Sequence, residues 1–148
     1  MTGLLVRAAT NEDVEGWLRL RLALWPHGEE AEFLDDIRRL LDDGRAFVAE
    51  EDERLVGFAE FSLRPYAEGC ESSPVPYLEG WYVRPDARRR GYGRALVSAF
   101  ESWAREHGFR EVASDVLLEN TESQQAHEAL GFQEVERLVV YRKELTRE

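Results

Sequence analysis

Val83-Arg84-Pro85-Asp86-Ala87-Arg88-Arg89-Arg90-Gly91-Tyr92-Gly93 joins a run of strand-forming residues to a run with helical periodicity. At such a junction the free N–H groups of the first helical turn and the positive end of the helix dipole converge. Glycines at Gly91 and Gly93 let a ligand approach the main chain with no Cβ in the way, and the flanking arginines add charge suited to phosphate. The pattern therefore predicts a diphosphate site. Two rival readings are weaker. A dinucleotide fingerprint needs a third glycine, and Gly108 is too distant to supply it. A solvated basic patch or a nucleic-acid contact explains the arginines but not the strand before and the helix after them.

Upstream of this junction, Leu4 to Ala8 reads as a short strand, and Thr10 with Asp13 as a capping pair. That pair opens a helix with Val14, Trp17, Leu18, Arg21 and Leu24 at helical spacing, ended by Pro26. A second helix from about Glu29 buries Phe33, Leu34, Ile37, Leu40 and Leu41, with Gly44 placed to cap it. Ala46 to Glu50 and Arg54 to Arg64 predict an antiparallel hairpin about Glu51-Asp52-Glu53, and Tyr66 to Pro76 a surface loop before a strand Tyr77 to Val83. Downstream, the pattern predicts a helix over Gly91 to His107, a strand Glu111 to Val116, and a helix capped by Thr121 and Gln124 and ended by Gly131. A closing strand Val135 to Lys143 follows. The order is that of a mixed α/β (α+β) fold.

The chain has 148 residues, 43% of them hydrophobic, which suits one domain over residues 1–148; no repeat or linker divides it. Cys70, the single cysteine, cannot form an intrachain disulfide, and Met1 to Thr10 lacks the marks of a signal peptide. A cytoplasmic location is expected. Charges interrupt every apolar segment well short of the roughly 20 residues that span a bilayer. The net charge of -11 disfavours nucleic acid and anionic membranes and favours a cationic ligand, although acidic surplus also serves solubility alone. One cysteine and three scattered histidines make no metal-ligand cluster, so no metal is expected.

The quoted stretch resembles the V-x-P-x-x-R-x-x-G-x-G signature of the GNAT acetyltransferases, and Ala129-Leu130-Gly131-Phe132 resembles their closing helix-to-strand motif. The resemblance implies a mostly antiparallel mixed sheet, splayed at its central strands and flanked by helices, with acetyl-CoA laid along the central strand as an added β-strand. It implies coenzyme contacts at Trp81, Tyr82 and Val83, at the Arg88, Arg89, Gly91, Gly93 and Arg94 loop, and at Asn120. Further stretches are similar to aminoglycoside 6'-N-acetyltransferases: Leu24-Trp25-Pro26, Gly69 to Val75, Leu78-Glu79-Gly80, Ala113-Ser114-Asp115, Glu119-Asn120-Thr121 and Val139 to Lys143. That similarity covers nearly the whole chain and implies an aminoglycoside acceptor touched by Trp25, Tyr66, Glu79, Asp115 and Glu136. It also implies a homodimer built through C-terminal strands, which the apolar Val135 to Tyr141 allows.

The chemistry agrees with that implication. A polycationic sugar calls for several carboxylates and an aromatic surface, and Glu79, Asp115 and Glu136 lie on or beside three predicted strands. Direct transfer needs a neutral amine, a polarised thioester carbonyl and a proton for the leaving thiolate. Glu79, acting through water, is the expected base. A main-chain amide near Trp81 or Val83 is placed to stabilise the thioester oxygen. Many GNAT enzymes carry tyrosine four residues before the Gly-Phe motif; here that position is His127, which can donate a proton near neutral pH, with water as the alternative acid. Cys70 has no base beside it in sequence, so a covalent route is disfavoured. Two other readings remain open: transfer to a polyamine, a small metabolite or a protein amine, and an acyl-CoA sensor that transfers nothing.

Overall fold

The computed structural model describes residues 4–147. Two compact units follow one another along the chain, the first running to Asp115 and the second beginning at Val116. The first carries β1 (Leu5–Ala8), α1 (Val14–Leu24), α2 (Glu30–Asp43), β2 (Ala46–Glu51), β3 (Arg54–Arg64), β4 (Val75–Val83), α3 (Tyr92–Glu106) and β5 (Ala113–Ser114). The second carries α4 (Thr121–Ala129). Among the described residues no helix is long and apolar enough to cross a membrane.

The strands form one sheet in the order β1-β2-β3-β4-β5, antiparallel except for the parallel β4–β5 pair. This is the expected mixed, mostly antiparallel sheet. β3 is buried on both faces, and its alternation sorts the layers. Phe58 joins Trp17, Leu20 and Ile37 from α1 and α2 in one core cluster. Phe61, on the opposite face, packs against Phe100 and Trp103 of α3 at ring separations of 4.9 and 4.6 Å.

Local chemistry sets the helix ends much as the sequence predicts. The Asp13 carboxylate accepts the Thr10 N–H at 2.8 Å, closing a capping box ahead of α1. Gly44 ends α2 in the left-handed region at φ 68°, where a Cβ would be strained. For α4 the cap is Asn120 rather than Thr121: its side-chain oxygen accepts the Ser123 N–H at 3.1 Å.

Two expectations need correction. The strand predicted over 111–116 is only Ala113–Ser114, because its flanking acids are engaged elsewhere. Glu111 accepts the Glu71 and Ser72 N–H groups at 2.8 and 2.7 Å, and Asp115 accepts the Tyr77 hydroxyl at 2.8 Å. The closing strand predicted over 135–143 has no ladder among the described residues. Its β-forming side chains Val135, Val139, Val140 and Tyr141 are exposed. β propensity expresses a fit to a neighbouring strand, so without one it makes no strand.

One core interaction is polar. Arg21, read from the sequence as a member of the α1 buried stripe, pairs through Nε and Nη2 with Glu60 of β3 at 2.7 and 2.9 Å. Trp17 Nε1 donates to the same carboxylate at 2.6 Å. Glu60 is 2% exposed, so its charge is held by these donors rather than by water. Glu60→Gln is expected to lower unfolding stability by about 3 kcal/mol, leaving Arg21 with Asp36 as its remaining carboxylate partner among the described residues, whereas Arg21→Met combined with Glu60→Leu recovers only part of the loss, because the buried Trp17 Nε1 then lacks its acceptor. Urea unfolding midpoints of the two variants check this.

Candidate active site

β4 is paired with β3 along its whole length, from Val75↔Arg64 to Val83↔Gly57. Its ladder to β5 covers only Tyr77 and Leu78. The parting coincides with a bulge: Glu60 pairs with Gly80 and Phe61 with Leu78, so Glu79 is the extra residue on β4. A bulge of this kind twists the strand and re-aims the side chain it carries. Beyond it, the β4 edge from Glu79 to Val83 is left uncovered by β5.

Glu79 therefore stands at the mouth of the opening. Its carboxylate accepts Arg64 Nε at 2.8 Å, Arg64 Nη2 at 2.7 Å and the Ser62 hydroxyl at 2.6 Å. Burial pushes the carboxyl up, but these donors outweigh it and hold the group below its ordinary value. The Arg64 guanidinium lies 3.6 Å from the Tyr77 ring centroid, and Tyr77 donates its hydroxyl to Asp115. Burial, then the Asp115 bond, raises the Tyr77 phenol far above its usual range, so it remains a donor.

Trp25, at the end of α1, packs over β4 at Gly80, where a Cβ would lie 2.7 Å from the indole. Phe33 and Phe58 meet that ring edge-on, at 6.0 and 6.2 Å, and the Arg21 guanidinium sits 5.1 Å from its centroid. Tyr66, just after β3, is 68% exposed. Of the expected acceptor residues, the first unit thus brings Glu79 and Asp115 into one connected cluster and sets Trp25 over Gly80, the next residue of β4.

Asn120, His127 and Glu136 belong to the second unit. Asn120 caps α4 with its oxygen. His127 Nδ1 lies 2.8 Å from the Ser123 carbonyl, and the ring meets Phe132 edge-on at 5.1 Å. Glu136 is exposed.

At the far end of β4 the arginine loop opens α3. Gly91 takes φ 91° immediately before the helix, and Ala95 N–H makes the first helical bond, to the Gly91 carbonyl at 3.0 Å. The amides of Tyr92, Gly93 and Arg94 precede that bond and lie at the positive helix end. A Cβ at Gly93 would press to 3.3 Å on the Trp81 ring, whose Nε1 donates to the Gly93 carbonyl. Arg88 donates through Nε to the Val83 carbonyl at 2.8 Å, so part of its side chain fastens the loop to β4. Arg89 and Arg94 are exposed. This donor set fits a diphosphate.

Four contributors escaped the sequence reading. Arg64 and Ser62 reach Glu79 where the bulge shifts the register. Glu51, the last residue of β2 before the β2–β3 turn, accepts both the Tyr92 hydroxyl, at 2.8 Å, and Arg90, the two residues flanking Gly91. Arg54, across the same turn, pairs with Asp86 at 3.1 Å, so the hairpin grips the loop at both ends. A cavity of about 380 Å³ is lined by Leu40, Phe47 and Trp103, none of which belongs to this site.

The family model described as "Acetyltransferase (GNAT) family" matches residues 9–132. The chain belongs to the GNAT acetyltransferase family. This GNAT protein is an acetyl-CoA-dependent N-acetyltransferase. It is 45% identical over 144 residues to the aminoglycoside N(6')-acetyltransferase type 1 of Stenotrophomonas maltophilia, covering 95% of this chain and 93% of the relative. The enzyme of that name from Klebsiella aerogenes is 46% identical over 147 residues, covering 95% and 97%. Among solved structures, AAC(6')-Iy in complex with the bisubstrate analog CoA-S-monomethyl-acetylneamine superposes with a TM-score of 0.92 at 40% identity, covering 97% of this chain and all (100%) of that one. The apo AAC(6')-IG of Acinetobacter haemolyticus gives 0.87 at 36% identity, covering 96% and 99%.

Because Glu51 ties the GNAT loop to the hairpin, Glu51→Gln is expected to raise the acetyl-CoA Michaelis constant roughly two- to five-fold, the range of an exposed ion pair, and to leave the acceptor's unchanged. Steady-state kinetics with each substrate varied in turn check the split.

Proposed function

We propose that this GNAT enzyme is an aminoglycoside 6'-N-acetyltransferase that transfers acetyl from acetyl-CoA directly to an antibiotic amine. The observation that carries this reading is the Glu79–Arg64–Tyr77–Asp115 cluster where β4 parts from β5, with the Trp25 indole over Gly80, the residue after Glu79. Acidic groups beside an aromatic face suit a polycationic sugar. The names of the relatives, and the bisubstrate analog in one of them, support the same acceptor.

In this reading the coenzyme's pantetheine arm adds to the β4 edge past Glu79, and its diphosphate lies on the amides of Arg89, Gly91, Gly93 and Arg94, with Asn120 as a further contact. Trp25, Tyr66, Glu79, Asp115 and Glu136 receive the antibiotic. Its ammonium loses a proton through water to Glu79, and the nitrogen lone pair attacks the thioester carbonyl carbon. A β4 amide near Trp81 or Val83 stabilises the oxyanion. The nitrogen gives up its second proton to water, the C–S bond breaks as the carbonyl re-forms, and the thiolate takes a proton from His127 or from water. The low-lying Glu79 carboxyl supports relay over permanent uptake of the proton: it accepts briefly and releases to solvent.

Both units make one domain of 148 residues in this proposal. The enzyme works in the cytoplasm, without nucleic-acid or membrane partners. It is a homodimer, since the exposed Val135, Val139 and Val140 offer β-forming side chains to a second copy.

Thiol release with a panel of aminoglycosides beside spermidine and a lysine peptide, with product mass fragmentation, tests the acceptor. Acetylation at the 6'-amine is expected, and turnover of spermidine or the peptide alone refutes it. Asp115→Ala and Glu136→Ala are each expected to weaken aminoglycoside binding about ten- to hundred-fold, the cost of a lost charge-assisted hydrogen bond, with acetyl-CoA binding intact by calorimetry.

A further inference from the structure

The acceptor cleft contains a conflict. Carboxylates that attract an ammonium also raise its pKa, by roughly 1–3 units for an opposite charge at about 4–6 Å, while acetyl transfer needs the neutral amine. Glu79 and Asp115 both act in that unproductive direction, and Glu68 on the neighbouring loop adds to the negative field felt at Tyr77. Arg64 opposes them.

Arg64 is held by more than charge. Its fork meets both Glu79 oxygens, at 2.7 and 2.8 Å, and its face stacks on Tyr77 at 3.6 Å. Lysine cannot reproduce the fork and stack together. Tyr77 is itself fastened to Asp115, so the guanidinium sits in a fixed place between the two carboxylate-bearing positions. The pair stays accessible, with side-chain exposures of 40% for Arg64 and 33% for Glu79. A carboxylate has about four lone-pair sites, and the three donors from Arg64 and Ser62 leave room for a ligand hydrogen bond.

We infer that Arg64 is a positioning residue that neutralises Glu79, so that the cleft holds the acceptor by hydrogen bonding without fixing its reactive amine as an ammonium. This rests on the assignment of the cleft to the acceptor. Arg64 acts through Glu79 and touches no reacting atom. The charged and titratable groups that act on it are Glu79 and Tyr77 from β4 and Asp115 after β5, while Glu68, from the loop after β3, acts on Tyr77. Tyr77 stays protonated through the working range, so among the described residues of this cluster Glu79 and Asp115 set the negative field and Arg64 opposes it.

The test is the pH dependence of kcat with saturating aminoglycoside, which reports groups in the bound complex. Arg64→Gln is expected to move the acidic limb of the profile up by about one pH unit, a tenfold loss of kcat on that limb. It also lowers the acceptor KM several-fold and leaves the acetyl-CoA KM unchanged. Arg64→Lys, which keeps the charge, returns most of the limb shift. Glu79→Gln removes the base as well as the charge, so kcat falls across the whole profile while the acceptor KM rises, the reverse of Arg64→Gln, and that KM reads the balance should Arg64→Gln fail to fold. A limb and acceptor KM that stay at wild-type values in Arg64→Gln overturn the inference, as does Arg64→Lys behaving like Arg64→Gln. Failure of the acceptor assignment shows elsewhere, in wild-type enzyme that acetylates no aminoglycoside; the limb is then read with the amine it accepts.

Discussion

The structure depends on β4 being paired on one edge throughout and on the other only at Tyr77 and Leu78. A strand whose second edge is abandoned presents hydrogen-bonding groups that an extended ligand can use as a sheet would. The bulge at Glu79 coincides with the parting, and the ladder to β3 alongside keeps β4 in the sheet. Gly57 allows the β3–β4 ladder to close beside Tyr82, where a Cβ would lie 2.7 Å from the Tyr82 carbonyl oxygen. Gly80 admits the Trp25 indole onto the strand directly after the bulge. One backbone irregularity thus leaves both an uncovered strand edge and an aimed carboxylate, the two features that the proposed reading assigns to coenzyme and acceptor.

Charge is distributed to match. Although the chain carries a net -11, its arginines are concentrated where a diphosphate would bind and where acids must be restrained. Glu60 is restrained by Arg21, Glu51 by Arg90 and Glu79 by Arg64. Their consequences differ with burial. The Arg21–Glu60 pair is out of water, so losing one partner leaves a stranded charge and destabilises the fold. The Arg64–Glu79 pair is half in water, so its loss alters the local field more than the stability.

The glycine-bearing junction and the helix ends were legible because they are local. Gly91 and Gly93 set a helix entry with free N–H groups wherever the strand-to-helix junction sits, and the Thr10–Asp13 box and Gly44 need only their own neighbours to act. The pairings that matter most were not legible. Arg64 and Glu79 lie 15 residues apart on strands whose register shifts at the bulge, so no spacing rule joins them. Arg21 could be placed on a buried stripe, but its partner Glu60 looked like any acid in a hairpin strand. The closing segment 135–143 misled in the other direction, because an apolar, β-branched run is only half of a strand.

What the chain determines by itself is its helices, the hairpin, the glycine-bearing turn before α3 and the types of residue available for a cationic acceptor, since periodicity, capping and glycine conformation act over a few residues. What tertiary structure alone decided is which of those residues meet: the bulge at Glu79, the guanidinium set against it, and the Glu51 grip on Arg90 and Tyr92. Those contacts follow from strand register and long-range packing. They depend on how remote segments share one sheet, and no local pattern encodes that.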